Sequence, residues 1–148
     1  MSSKKIKQKK PKFEWDLDFI EDSNKKSFAV LSCIWKVKVL KEKYLTLFSE
    51  ELFAKVNQLL DNKLAQKPGA LILDFSSISI GNPESSSVAI QEMIKIESKK
   101  PFALNIIVTK SIYLPILNSI LKKNPSSIQT LTVTNLDDGL GLVSKYLC

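Results

Sequence analysis

The residues best suited to a binding or modification site form a short polar segment between two apolar stretches. The candidates are Asn82, Glu84, Ser85, Ser86 and Ser87. Asparagine suits a helix N-cap, and Pro83 after it suits the first helical position. Serine hydroxyls at a helix start can bond the free backbone N–H groups there, and they can also carry a phosphate. The segment is therefore predicted either to cap a helix or to form an interaction site.

Residues for other kinds of chemistry are scarce in this sequence. It contains no histidine, so the commonest general base and histidine-dependent metal sites are missing. Cys33 and Cys148 are too few and too far apart to form a zinc site alone, and we expect both to be thiols. Gly139 and Gly141 lack the third glycine of a dinucleotide-binding fingerprint. We therefore expect no enzymatic activity, no cofactor and no metal.

The polar segment is flanked by a predicted strand at residues 70–80 and a predicted amphipathic helix at residues 88–99. Leu71 to Phe75 is a nearly unbroken apolar run, which is typical of a strand covered on both faces. Asp74 interrupts that run. Because an unpaired buried carboxylate is costly, we expect Asp74 at the rim of the sheet or in a hydrogen bond.

Leu73-Asp74-Phe75-Ser76, followed by a polar turn and a helix, resembles the STAS domain family, which includes bacterial anti-sigma-factor antagonists. That family has a Leu-Asp-Leu-Ser-like run and then an Asp-Ser-Ser-Gly turn that opens a helix. An ungapped alignment puts Pro83 at the place of the phosphorylated serine, whereas two inserted residues put Ser85 there. The resemblance spans roughly residues 27–147. It implies a STAS-like fold and docking of a regulatory protein, such as an anti-sigma kinase, through residues 82–87.

The other segments alternate between strand and helix patterns. They predict strands at residues 28–40, 44–48 (a short one), 102–108 and 130–134. They also predict a helix capped by Ser49, a helix that begins within 111–115 and a helix at 136–146. In the first of these helices, Leu52, Phe53 and Val56 are predicted to be buried. Trp35 shares the apolar face of the first strand and is predicted to be buried. This order predicts an α/β fold, a STAS-like layered sheet of about five strands, largely parallel at the centre, with helices packed against it.

The N-terminal residues differ from the rest in composition. All 22 basic residues are lysines, the net charge is +7, and eight of the lysines precede Ser27. Residues 1–12 are predicted to be a disordered basic arm, either a solvated tail or a site for nucleic acid or an anionic surface. Residues 13–19 alternate apolar and acidic residues, which predicts a short edge strand or a partner-docking motif.

The domain boundary is predicted at residue 27. Residues 1–26 would form the arm, with its possible edge strand, and residues 27–148 the STAS-like domain. Because the predicted core faces all lie after Phe28, we expect residues 27–148 to fold without the arm. No apolar run reaches the length of a membrane helix, so the expected location is the cytoplasm.

Overall fold

The computed structural model describes residues 12–41, 43–62, 65–79, 90–91, 102–123 and 128–148. The candidate residues Asn82, Glu84, Ser85, Ser86 and Ser87 lie outside this set. So does the predicted helix at 88–99, except for Ile90 and Gln91, which are helical.

The described strands form one five-stranded mixed sheet. They are β1 (Phe13–Glu21), β2 (Ser27–Trp35), β3 (Gly69–Asp74), β4 (Phe102–Val108) and β5 (Gln129–Val133), and they lie in the sheet in sequence order. β1 is antiparallel to β2, and every other neighbouring pair is parallel. The described helices are α1 (Tyr44–Asn62), α2 (Leu114–Lys123) and α3 (Leu136–Leu147). This architecture confirms the predicted α/β fold class.

Both faces of the parallel strands are covered by helices. Alternate residues of a strand point to opposite faces, so each strand contributes to two separate cores. One core joins Leu31, Leu71 and Ile107 of the sheet to α1 and α2. The other joins Val30 and Ile106 to α3. Burial on both faces explains why β3 reads as a continuous apolar run.

The predicted short strand at residues 44–48 is wrong, because α1 already begins at Tyr44. Leu45, Phe48 and Leu52 recur at helical spacing and are all buried, so the apolar stripe starts one turn before Ser49. Phe53 was predicted to be buried but is 57% exposed. A five-residue apolar stretch fits either a strand or a helix, and packing against the sheet decides for the helix.

β2 is shorter than the predicted strand at residues 28–40. Its ladder with β3 ends where Ile34 pairs with Asp74, since the chain turns after Asp74 and meets the segment after β2 again only at an isolated bridge. Val39, which the strand predicted at residues 28–40 would place on the same face as Trp35, is 42% exposed. The predicted burial of Trp35 is confirmed, because its ring is fully buried.

The alternating segment near the N-terminus forms β1, which pairs along the whole length of β2. Phe13 is buried in the core on the α1 side, with its ring centroid 4.6 Å from that of Trp35 in an edge-to-face arrangement. The core therefore includes a residue before Phe28. Residues 1–11 lie outside the described part of the chain, so the predicted arm stays a prediction.

Two further expectations can be compared with the structure. Cys33 is buried and Cys148 is exposed, and both are thiols, as predicted. Among the helices that the structure describes, none is long and apolar enough to cross a membrane.

Candidate functional site

The four parallel strands end at one edge of the sheet, which we call the carboxyl edge. The residues that follow the strands there are Lys36 after β2, Phe75 to Ser79 after β3, Thr109 to Ser111 after β4, and Thr134 and Asn135 after β5. Ligands of open α/β sheets bind preferentially outside the carboxyl ends of the strands. The chain leaves β3 at this edge before it enters the candidate segment 82–87.

Asp74 ends β3 at the carboxyl edge and holds the turn that follows. Its Oδ1 accepts hydrogen bonds from the Ser76 backbone N–H at 2.9 Å and from the Ser76 hydroxyl at 2.6 Å. The Asp74 residue is 9% exposed. The expectation that this carboxylate lies at the rim and is hydrogen-bonded is confirmed. Within the Leu73-Asp74-Phe75-Ser76 motif, Asp74 and Ser76 are thus hydrogen-bonded to each other, as in an Asx turn.

The turn after Asp74 is tied to the neighbouring segments by backbone hydrogen bonds. The Phe75 N–H donates to the carbonyl of Val108 at 2.7 Å, and the Ser79 N–H donates to the carbonyl of Lys38 at 2.8 Å. Val39 and Ser79 also form an isolated parallel bridge. The chain is therefore held in place up to Ser79, the last described residue before the candidate segment.

The exit of β4 contributes features that the sequence patterns did not reveal. Lys110 and Ser111 are exposed, and the side chain of Ile112 is 73% exposed. Thr109 is fully buried, and its backbone N–H donates to the carbonyl of Val133. Within the described part of the chain, its hydroxyl has no hydrogen-bond partner. An isolated isoleucine before a helix has no periodicity, so no sequence pattern could have marked it.

The exit of β5 is a capped helix start. The Asn135 side chain accepts a hydrogen bond from the Asp138 N–H at 2.8 Å, and Asp137 and Asp138 lie in the first turn of α3. Carboxylates at this end of a helix are stabilised by its dipole. The helix start therefore accounts for Asp137 and Asp138 by a structural role.

Taken together, the carboxyl edge presents lysines and exposed apolar side chains. Lys36 is paired with Glu14 at 2.9 Å, whereas Lys38 and Lys110 are exposed beside Val39 and Ile112. Among the described residues, no group of three or more His, Cys, Asp or Glu side chains could hold a metal ion. The arrangement is suited to contacts with another macromolecule.

The comparisons with known proteins show a distant structural likeness. No family model matches the sequence, and no curated protein matches it. Among solved structures, the chain is similar to an uncharacterised protein of the DUF3478 family with a SpoIIAA-like fold from Shewanella loihica PV-4. The two are 11% identical, with a TM-score of 0.47 over 97% of this chain and 98% of that one. A likeness this distant carries no function with it, and the strand order above defines the fold class.

Proposed function

We propose that this chain is a non-catalytic protein-interaction module of the STAS type, which docks a regulatory protein at the carboxyl edge of its sheet. The observation that supports it best is the position of Asp74. The Leu73-Asp74-Phe75-Ser76 motif ends a central parallel strand, and its hydrogen-bonded turn holds the chain at the carboxyl edge up to Ser79, three residues before Asn82. The resemblance implies an anti-sigma kinase or a similar regulator as the partner.

The described surface at this edge supports protein contact. Exposed Ile112 can fill an apolar pocket of the partner, and the exposed lysines Lys38 and Lys110 of the same edge can contact acidic groups of the partner. An apolar centre with a polar rim is the common anatomy of protein interfaces.

A phosphate on the serine cluster would act through the partner in this proposal. A phosphoserine adds about −1.5 to −2 charges at pH 7. At the helix start that the sequence predicts here, the phosphate would meet free N–H groups and the positive end of the helix dipole, so we expect the fold to tolerate it. Regulation then arises by repelling the partner or by occupying its docking surface.

We therefore expect Ser85→Asp and Ser86→Asp to keep the thermal midpoint of the parent and to weaken capture of the partner. Affinity capture from native lysate with mass spectrometry identifies the partner and measures the weakening. Ser119→Asp, an exposed position on α2, controls for added charge alone. Equal capture by the parent and both variants would contradict the proposed switch.

The alternative is a lysine-rich protein that binds nucleic acid or an anionic surface through residues 1–12. It stays a prediction from composition. A titration with salt separates the two functions, because binding to nucleic acid weakens steeply as ionic strength rises. Arginine, the residue that best reads guanine, is absent, which favours protein docking.

A further inference from the structure

β1 is the first strand of the sheet, and its outer side is a candidate docking edge. In the described part of the chain it pairs with β2 alone, over nine residues from Phe13 to Glu21. The outer edge of a strand carries backbone N–H and C=O groups that can pair with another strand. This edge is separate from the carboxyl edge proposed above.

The hydrogen-bond pattern shows which backbone groups point outwards. The Lys36 N–H donates to the carbonyl of Lys12, and the Asp22 N–H donates to the carbonyl of Lys26. In each bond, an even-numbered residue at one end of β1, Lys12 or Asp22, is joined to the residue opposite it at the end of β2. Since bonded and non-bonded pairs alternate in an antiparallel ladder, the even residues of β1 bond β2. The odd residues Trp15, Leu17 and Phe19 therefore direct their N–H and C=O groups to the outer edge.

In the middle of β1, over residues 15–19, the side chains divide by charge between the two faces. Asp16 and Asp18 are exposed on the α3 side, opposite the uncharged Ser32 and Val30. On the α1 side, Trp15 and Leu17 are half-buried against the core, and Phe19 is 41% exposed. A strand added here would meet carboxylates on one face and apolar side chains on the other.

This charge pattern selects the occupant. Two copies of β1 paired edge to edge would bring their carboxylates together on one face, which is unfavourable. We propose that the outer edge of β1 binds an extended segment of a partner protein in which lysine or arginine alternates with apolar residues. The segment adds a sixth strand, with its cations beside Asp16 and Asp18 and its apolar side chains beside Leu17 and Phe19. Main-chain bonds supply affinity and the alternation supplies specificity.

The test uses the full chain and a synthetic peptide of about nine residues that alternates lysine and valine, the length of strand that β1 can pair. Hydrogen exchange is measured with and without the peptide. We expect slower exchange at the outward amides of Trp15, Leu17 and Phe19, and no change at those of Asp16 and Asp18. Two control peptides should bind weakly. One has the same composition with its lysines in one block. The other is N-methylated at the alternate residues whose N–H groups would face β1.

A charge variant tests the choice of occupant. Asp16→Asn with Asp18→Asn should weaken binding about fivefold, since two cross-strand charge pairs are lost. Glu50→Gln, an exposed carboxylate on α1, should leave it unchanged.

Three results would overturn the proposal. The first is binding of the block peptide as tight as that of the alternating one. The second is unchanged exchange at the outward amides when the peptide is saturating. The third is protection of those amides in the absence of peptide. Protection that rises with protein concentration would assign the edge to a second copy. Protection that is lost on deletion of residues 1–11 would assign the edge to the chain's own N-terminus.

Discussion

At the scale of single residues, Trp35 connects three parts of the core on the α1 side. Its ring centroid lies 4.6 Å from that of Phe13 in β1, 5.2 Å from that of Phe48 in α1 and 5.1 Å from that of Phe75 after β3. Aromatic pairs at these distances add stability beyond the buried area. Among the described groups its indole N–H has no hydrogen-bond partner.

Trp35→Ala should therefore lower the free energy of unfolding by about 3–5 kcal/mol, because it leaves a large cavity among the three phenylalanines. Urea denaturation followed by circular dichroism measures the change. Phe53→Ala is the matched control, since Phe53 is an aromatic residue that is 57% exposed, and it should cost no more than about 0.5 kcal/mol. A loss for Trp35→Ala as small as that of the control would contradict the packing described here.

Substitution of Gly69 and of Gly141 by alanine should change the stability in opposite directions. A Cβ at residue 69 would overlap the backbone carbonyl of Ala29 in β2, whereas a Cβ at residue 141 in α3 meets nothing within 4 Å. Gly69→Ala should destabilise by about 3 kcal/mol, the upper end of overpacking costs. Gly141→Ala should stabilise by about 1 kcal/mol, because alanine favours a helix. Thermal unfolding of both variants beside the parent checks the signs, and a tolerated Gly69→Ala would mean that β2 and β3 can separate.

At the scale of elements, one ion pair joins the β1–β2 hairpin to the segment before β3. Lys67 Nζ lies 2.8 Å from Asp22 Oδ2, and it also donates to the carbonyl of Leu147 at the end of α3. Asp22 Oδ1 accepts from the Asn24 and Lys26 N–H groups and so shapes the turn, in which Lys25 has a φ of 62°. The hydrogen bond from Lys67, followed by that from the Lys26 N–H, lowers the pKa of Asp22 from its usual 3.8.

A lowered pKa in the folded protein predicts the direction of the pH effect. The unfolded chain takes up the proton first, so the contribution of Asp22 is complete above its ordinary pKa of 3.8 and is lost as the pH falls through its folded pKa. We expect Asp22→Asn to lower the thermal midpoint near neutral pH, and the difference from the parent to shrink below about pH 4. Asp16→Asn, an exposed carboxylate on β1, is the control. A difference that stays constant across this range would show that the charge of Asp22 is not the source.

At the scale of the whole molecule, the position of β1 favours a folded domain that begins near Lys12. Phe13 is buried, and the Lys36 N–H donates to the carbonyl of Lys12 at 2.7 Å. Removal of β1 would expose Trp35 and one side of β2.

Two deletions test where the domain begins. Deletion of residues 1–11 should leave the thermal midpoint within a few degrees, because the first buried residue in the described part of the chain is Phe13. Deletion of residues 1–26 should lower the midpoint strongly or abolish cooperative unfolding, since it removes a strand and part of the core. Scanning calorimetry compares the two. Cooperative unfolding of residues 27–148 at the parent's midpoint would support the boundary predicted from the sequence.

The sequence by itself determined the fold class and most of the elements. The apolar run at Leu71 to Phe75, the alternation around Trp35 and the stripe of Leu117 and Ile120 follow from periods of 2 and 3.6, which depend on local geometry. Asp74 could be assigned to the sheet rim because an unpaired buried carboxylate is costly.

The tertiary structure alone decided the remaining features, because they depend on residues far apart in the chain. Residues 44–48 alone are too few to distinguish a strand from a helix, and their packing with Leu52 and the sheet core decides for the helix. The end of β2 is decided by the turn of β3, its neighbour. The membership of Phe13 in the core, and the position of Lys38 and Ile112 at the same edge of the sheet, arise from the order in which the strands lie side by side, which no local pattern encodes.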